Sequence, residues 1–112
     1  MKRAASDFML EGVEDLLVQI GSNIKTARMN RNMTISELAN RVHVDEKTIS
    51  RLESGKPSSN LINLISILVV FGLEDSLLSI ANPQNDEVGK ALATKKVRVR
   101  ANNKSEDMSD DF

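Results

Sequence analysis

The sequence has no cysteine and few aromatic residues, and each scarcity narrows the range of folds. Cysteine is missing from all 112 positions, which excludes disulfides and thiolate metal sites and favours a reducing cytoplasm. Aromatic residues make up 3% of the chain and apolar residues 40%. The core must therefore consist of Leu, Ile, Val, Met and Ala, which favours packed helices over a β-sandwich. The length suits one domain with tails.

The sequence also lacks long apolar runs and recognisable catalytic motifs. Its longest apolar run, residues 67–71, is far shorter than the ~20 residues of a membrane-spanning helix. Acidic residues interrupt the segment after Met1, Lys2 and Arg3, so we expect no secretory signal. One histidine cannot build a metal cluster, and no nucleophile–base pair or phosphate-binding glycine loop is present. We therefore expect no enzymatic activity, cofactor, metal or membrane association.

The net charge of −1 conceals an uneven distribution along the chain. Residues 20–60 carry seven basic and four acidic side chains, a net charge of +3. Residues 1–19 carry −2, residues 61–89 carry −4, and residues 90–112 carry +2. A locally basic surface is compatible with phosphate contacts and predicts salt-sensitive binding to nucleic acid.

The spacing of apolar residues predicts a first amphipathic helix from about residue 8. Gly21 and Ser22 could divide it, and Asn32, a residue type that tolerates the left-handed conformation, marks its end. The predicted inward residues of this helix are Met9, Val13, Leu16, Leu17, Ile20, Ile24 and Ala27.

Two short helices are predicted between Thr34 and Gly55. Thr34 and Glu37 have the spacing of a capping box, and Asp45 is placed to cap the second of the two helices. Small Ala39 suits a close crossing of two helices, and the segment after Ser54 ends the pair. The predicted inward residues are Ile35, Leu38, Ala39, Val42, Val44, Ile49 and Leu52.

A fourth helix is predicted from Asn60 to Gly72, and a fifth over residues 74–80. The predicted inward stripe of the fourth helix is Leu61, Leu64, Ile65, Leu68 and Phe71. The remaining apolar residues nearby are either scattered surface residues or a patch for a dimer or partner; they are Ile62, Val69, Val70, Leu77 and Leu78.

Residues 82–112 are polar, with a basic run from Lys90 to Lys104 and an acidic end from Glu106 to Asp111. This composition predicts a flexible charged tail. The basic run is either simply solvated or an arm that becomes ordered on a partner such as nucleic acid.

The run TISELANRVHVDEKTISRLESGKPSSNLINLISILVVFGL resembles the helix-turn-helix domain of the lambda-repressor and Cro family, and the similarity extends back to Ile20. The resemblance implies an all-α fold: a compact five-helix DNA-binding domain over residues 20–81. Residues 1–19 would form a helical extension, and residues 82–112 the flexible tail.

The resemblance also implies roles for single residues. Residues 45–53 would lie in the DNA major groove, with Lys47, Ser50 and Arg51 reading bases. Glu46 would either accept a hydrogen bond from cytosine or stabilise the helix N-terminus. Phosphate contacts are expected at helix starts and in the loop after the recognition helix, from Thr34, Ser36, Thr48, Lys56 and Asn60. Arg28 and Glu53 match a structural ion pair of the family.

Two positions depart from the family pattern. Ile35 stands where the family often has a phosphate-binding glutamine, so that contact is not expected here. His43 stands where the turn usually has glycine. Histidine can adopt a positive φ at some strain, so the turn should be kept, and an exposed structural role is favoured over a pH switch.

One recognition helix reads few base pairs, so we expect a homodimer on an inverted-repeat operator in double-stranded DNA. The predicted function is transcriptional repression by a cytoplasmic, nucleoid-associated protein. The chain is similar to HipB-type antitoxins, which implies a HipA-type kinase toxin as partner and repression of its own operon. The alternative is a stand-alone phage-type or chromosomal regulator without a toxin.

Overall fold

The computed structural model of the protein describes residues 10–57 and 60–103, and within these ranges it contains helices and no strand. The α-helices are α1 (Val13–Asn30), α2 (Ile35–Val42), α3 (Glu46–Glu53), α4 (Leu61–Phe71) and α5 (Glu87–Asn103). Two 3-10 helices, Glu74–Ser79 and Pro83–Asn85, lie between α4 and α5. The predicted all-α class is confirmed. Predictions for residues 1–9, including Met9, and for residues 104–112 lie outside the described residues.

The chain consists of two compact units, with the boundary between Asp75 and Ser76. The first contains α1 to α4, and in the second α5 packs against the 3-10 helix Pro83–Asn85. The domain boundary expected before residue 20 falls inside α1, which runs through this point as one helix. Among the helices that the structure describes, none is both long enough and apolar enough to cross a membrane.

Side-chain caps begin α2, α3 and α4 as the sequence predicts. The Thr34 hydroxyl accepts from the Glu37 backbone N–H at 3.0 Å, and the Glu37 carboxylate accepts from the Thr34 N–H at 2.8 Å. Asp45 accepts from the Thr48 N–H, and Asn60 accepts from the Ile62 N–H. The hydrogen bonds from Thr34 lower the pKa of Glu37, and those from Thr48 lower the pKa of Asp45. Each carboxylate therefore supports its cap at neutral pH and loses this effect as the pH falls.

The turn between α2 and α3 depends on His43, which has φ 61° and ψ 44°. Its backbone N–H, like that of Val44, donates to the Ala39 carbonyl, which closes the end of α2. Asn32 also has a positive φ, of 54°, just after α1. Both left-handed positions predicted from the sequence are confirmed, so the helix-turn-helix connection forms without the usual glycine.

The core of the first unit is aliphatic apart from one phenylalanine. α2 packs against both α3 and α4, and α1 packs against α3. The fully enclosed side chains include Leu38, Ile49 and Ile67. The buried apolar residues together are Ile24, Leu38, Ala39, Ile49, Leu52, Ile67 and Phe71.

The predicted inward stripe of α4 is partly wrong. Ile67, which was left out of the stripe, is completely buried, whereas Leu61 and Ile65 are exposed. Leu64 and Phe71 do face the core. A helix turns about 100° per residue, so Ile65 lies about 160° away from Ile67. The sequence LINLISILVVF has apolar residues on every side, so spacing alone could not show which side faces inward.

The predicted stripe of α1 is confirmed at Ile24 and Ala27, which belong to or pack against the core, and is wrong at two other positions. Leu16 and Ile20 are exposed, whereas Val13 and Leu17 are half-buried. The buried positions are Gly21, Ile24 and Arg28. Gly21 therefore lies within a continuous helix and does not divide it.

The segment after α4 differs from the expectation in two ways. The fifth helix is of the 3-10 type and ends at Ser79. The composition of residues 82–112 predicts a flexible tail without a helix, whereas α5 occupies Glu87–Asn103. Asp86 begins α5, because its carboxylate accepts from the Gly89 N–H and its carbonyl from the Lys90 N–H. Capping of this kind can begin a helix that has no buried apolar stripe. The spacing of apolar residues detects only such stripes, so it did not predict α5.

Candidate nucleic-acid interface

α3 is held from one side by its own buried residues. Ile49 and Leu52 belong to the apolar core, and Glu53 is buried beside them. α1 and α2 both contact α3 from this side. The helix is thereby fixed along its inner face, and its outer face is left exposed.

The outer face of α3 carries the four residues predicted to read bases. Glu46, Lys47, Ser50 and Arg51 are all exposed. At about 100° per residue they cover an arc of about 140° on one side of the helix. The arrangement brings one anion, two cations and one hydroxyl onto a single exposed row. Such a row has the width that a helix can present to base edges in a major groove.

A buried ion pair joins α1 to the last turn of α3. Arg28 Nε donates to Glu53 Oε2 at 2.7 Å, and Arg28 Nη2 donates to Glu53 Oε1 at 3.1 Å. The same guanidinium donates to the Met33 carbonyl at 2.7 Å. The hydrogen bond with Glu53 raises the pKa of Arg28 further above its usual value. The two charged groups are thus satisfied inside the domain, and they tie α3 to α1.

Two glycines allow the backbones of α1 and α3 to approach closely, and sequence reasoning missed both contacts. A Cβ atom on Gly21 would lie 2.5 Å from the Leu52 carbonyl oxygen and 2.6 Å from that of Glu53. A Cβ atom on Gly55 would lie 2.6 Å from the Cα atom of Val18. Gly55 also has φ +77°, which L-residues rarely adopt. The available signal was the position of Gly21, which is three residues before Ile24 on the buried stripe.

Four of the five predicted phosphate-contacting residues lie near the starts of α2, α3 and α4, and the fifth, Lys56, lies between α3 and α4. The side-chain oxygens of Thr34 and Asn60 accept capping hydrogen bonds, which leaves the Thr34 hydroxyl proton and the Asn60 amide protons as donors. Ser36 lies in the first turn of α2, and Lys56 follows Gly55; both are exposed. Thr48 differs, because its backbone N–H and its hydroxyl both donate to Asp45. Thr48 therefore serves the cap of α3.

Two of the seven basic residues between residues 20 and 60 make contacts within the fold, although the net charge of this segment stays at +3. Arg28 is buried against Glu53, so this pair adds no net charge. Arg31 donates to the carbonyls of Ala27 and Phe71, and its guanidinium carbon lies 5.0 Å from the centre of the Phe71 ring. Arg31 thus links the ends of α1 and α4. The exposed cations on α3 and directly after it are Lys47, Arg51 and Lys56.

Residues 24–78 match the family model described as helix-turn-helix. No curated protein sequence matches the chain. The match begins within α1 and covers α2, α3 and α4, which are the elements that hold and present the exposed row. This family consists of DNA-binding regulatory domains and not of enzymes. Residues 24–78 are therefore a helix-turn-helix domain of the lambda-repressor and Cro type, the DNA-binding domain of a transcription regulator.

Proposed function

We propose that the protein is a sequence-specific transcriptional repressor that inserts α3 into the DNA major groove. The observation that carries this proposal is the exposed row on α3, opposite the buried residues Ile49, Leu52 and Glu53. A helix fixed from behind can approach base edges only with its outer residues. A repressor acts by occluding a promoter, which requires tight site-specific binding and no further chemistry.

In this proposal each outer side chain has a defined partner on DNA. Arg51 and Lys47 donate to the O6 and N7 atoms of guanine, and one good bidentate contact contributes ~1–3 kcal/mol of discrimination. Ser50 donates to or accepts from either base of a pair. Glu46 lies in the first turn of α3, where its carboxylate stabilises the positive end of the helix. A contact from Glu46 to cytosine is secondary to that role.

Phosphate contacts position the domain in the groove. We assign them to the remaining donors of Thr34 and Asn60 and to Ser36 and Lys56. All four residues are exposed, and three of them are at a helix start, where backbone N–H groups also attract anions. Thr48 is left out of this set because Asp45 takes both of its donors.

Selection from a pool of random duplexes tests the proposal. The protein should enrich one motif, arranged as an inverted repeat with half-site centres ~10–10.5 base pairs apart or a multiple of that spacing. Enrichment of no motif would exclude sequence-specific binding. Enrichment of a single motif without a repeat would support base reading but would exclude binding as a two-fold dimer.

We further propose that the protein binds as a homodimer formed through the α4 face, which we define as Leu61, Ile62, Ile65, Val69 and Leu73. All five side chains are exposed, including Ile62 at 71% and Val69 at 54%. Ile65 and Val69 point away from the buried Ile67 on the same helix. α4 packs mainly on α2, so pairing through this face would leave the outer row of α3 available.

Charge favours a second copy of this chain as the occupant of the α4 face. Residues 57–73 contain no Asp, Glu, Lys, Arg or His. Two-fold symmetry brings a surface against itself, so any charge on that surface meets its own kind. A neutral apolar face avoids this repulsion. The exposed apolar residues of α1, such as Leu16, lie among Glu11, Glu14 and Asp15 and lack this property.

A lysine in the α4 face should break the dimer. Val69→Lys places two like charges at the two-fold interface, and burial of each unpaired charge should raise the dimer dissociation constant at least ~100-fold. A lysine near the C-terminus of α4 suits the helix dipole, so folding should be retained. Sedimentation equilibrium without DNA measures the change. Leu16→Lys, on α1, is the matched control and should stay dimeric.

The proposal would be wrong about the interface if Val69→Lys and wild-type protein dimerised equally well. Loss of the dimer in the Leu16→Lys control instead would move the interface to α1. Neither result would affect the proposal that α3 reads bases, because each copy of α3 reads its own half-site whichever face forms the dimer.

The finer proposal is that the protein is the antitoxin of a HipA-type kinase toxin and represses its own operon. It is supported by the resemblance to HipB-type antitoxins. Co-expression with a kinase-like protein encoded by the adjacent gene tests it, since the two should purify as one complex and growth should stop when the kinase is made alone. If the neighbouring product neither binds nor is toxic, the protein is a stand-alone regulator.

A further inference from the structure

α5 is a helix whose formation does not depend on a core. From Glu87 to Lys96 its side chains are exposed, including Val88 at 71% and Leu92 at 62%. It is started by the Asp86 cap and by contact with the 3-10 helix Pro83–Asn85. Residues 79–103 also lie outside the helix-turn-helix match. The helix-turn-helix domain therefore does not account for α5.

The charges of α5 are one-sided. Glu87 is its one acidic residue, and it pairs with Lys90 at 3.3 Å. The helix then contains Lys95, Lys96, Arg98 and Arg100, with no acidic residue from 88 to 105. A helix that is merely solvated usually alternates charges, because like charges at i and i+4 are destabilising. Apart from Lys90, the cations of α5 therefore have no acidic residue within four positions along the helix that would balance them.

The pattern of charged and apolar residues on α5 indicates binding to a polyanion rather than docking in an apolar groove of a protein. A helix that docks in such a groove presents apolar residues at i, i+3, i+4 and i+7. On α5 the exposed pair Val88 and Leu92 is followed at the next two turn positions by Lys95 and Lys96. The apolar stripe stops there, and positive charge continues. Duplex DNA, which the first unit binds, carries one negative charge per ~1.7 Å of its axis.

We propose that α5 is a second DNA-binding element, which holds the phosphate backbone through Lys95 and Lys96 without reading sequence. It raises affinity for any duplex, whereas the outer row of α3 provides selectivity. The inference rests on DNA binding by residues 24–78 and is independent of repression and dimerisation. The tail beyond the helix-turn-helix domain is thus a site for phosphodiester groups.

The test is the salt dependence of binding to a non-operator duplex by the full chain. The plot of log affinity against log salt has a negative slope, and each lost phosphate contact makes it less steep by ~0.9. The slope of Lys95→Gln/Lys96→Gln should therefore be smaller in magnitude than that of wild-type protein by ~1.8. Between 50 and 200 mM salt the affinity of wild-type protein should fall ~12-fold more than that of the variant. Lysine and glutamine have similar helix propensities, so α5 should persist, which circular dichroism checks.

The charge-conserving variant Lys95→Arg/Lys96→Arg should keep the wild-type slope. Equal slopes for wild-type protein and the glutamine variant would overturn the inference, and would leave an acidic protein as the partner to examine. The preference of wild-type protein for its operator separates this result from a failure of the proposed function. If that preference is present while wild-type protein and the glutamine variant have equal slopes, only the role of α5 is contradicted.

Discussion

Glu53→Ala should destabilise the first unit by ~3–5 kcal/mol, because it leaves the buried guanidinium of Arg28 without its carboxylate. Arg28 and Glu53 join at 2.7 Å and 3.1 Å, and both are buried. A domain of this size has a total stability of ~3–9 kcal/mol, so the variant should lose about a third of that stability or more. Urea denaturation followed by circular dichroism measures the loss.

A double substitution separates the cost of a stranded charge from the value of the ion pair. Arg28→Met/Glu53→Leu replaces both charges by apolar side chains and should regain most of the stability, since such replacements are often neutral or stabilising. The Met33 carbonyl loses its hydrogen bond from Arg28, which sets a small remaining cost. If Glu53→Ala stays within ~1 kcal/mol of wild type, the pair does not hold α3 as proposed.

Ile67→Ala should destabilise the first unit by ~2–5 kcal/mol, because it opens a cavity at a completely enclosed side chain. Ile65→Ala, two residues away on α4, is the matched control. Ile65 is 38% exposed and points away from the core, so its truncation should cost less than ~1 kcal/mol at concentrations where the protein is monomeric. Thermal and urea unfolding of the two variants compare them directly.

This pair of variants also measures the rotation of α4. If the two substitutions cost the same, or if Ile65→Ala costs more, then α4 faces the core with the side predicted from apolar spacing. The α4 face would then be wrong as well, because Ile65 would be part of the core. The opposite result places Ile67 in the core and leaves Ile65 outside it, as the proposed dimer interface requires.

The caps and the turn could be predicted because their causes are local. Thr34 and Glu37 bind each other's backbone three residues apart, and Asp45 caps its own helix in the same way. His43 could be placed at a positive φ because it stands where the turn of the family that the chain resembles usually has glycine. Contacts between residues only a few positions apart can be predicted from short sequence motifs.

The rotation of α4 and the course of α1 could not be predicted because they depend on distant neighbours. α4 has no charged residue to mark its outer side. Gly21 looks like a helix breaker in the sequence, but α1 continues through it because the missing Cβ lets the Leu52 and Glu53 carbonyls approach. Glycine in a helix costs ~1 kcal/mol relative to alanine, and packing against α3 offsets this cost.

At the candidate interface, the sequence indicated which residues of α3 point outward but not which nearby cations are engaged elsewhere. Arg28 and Arg31 count toward a basic surface in the sequence, yet one is buried in an ion pair and the other binds backbone carbonyls at the ends of α1 and α4. Glu53, the partner of Arg28, is 25 residues away along the chain, and Phe71, one of the two partners of Arg31, is 40 residues away. Only the fold brings them together.

The specificity ratio of two variants tests the central claim most directly. This ratio is the affinity for the selected operator divided by the affinity for a scrambled duplex, measured at one salt concentration. Arg51→Ala should lower the ratio at least ~5-fold, because a base contact is lost, with little change in binding to the scrambled duplex. Lys56→Ala should weaken binding to both duplexes equally and leave the ratio unchanged. An unchanged ratio for folded Arg51→Ala would contradict base reading by the outer row of α3.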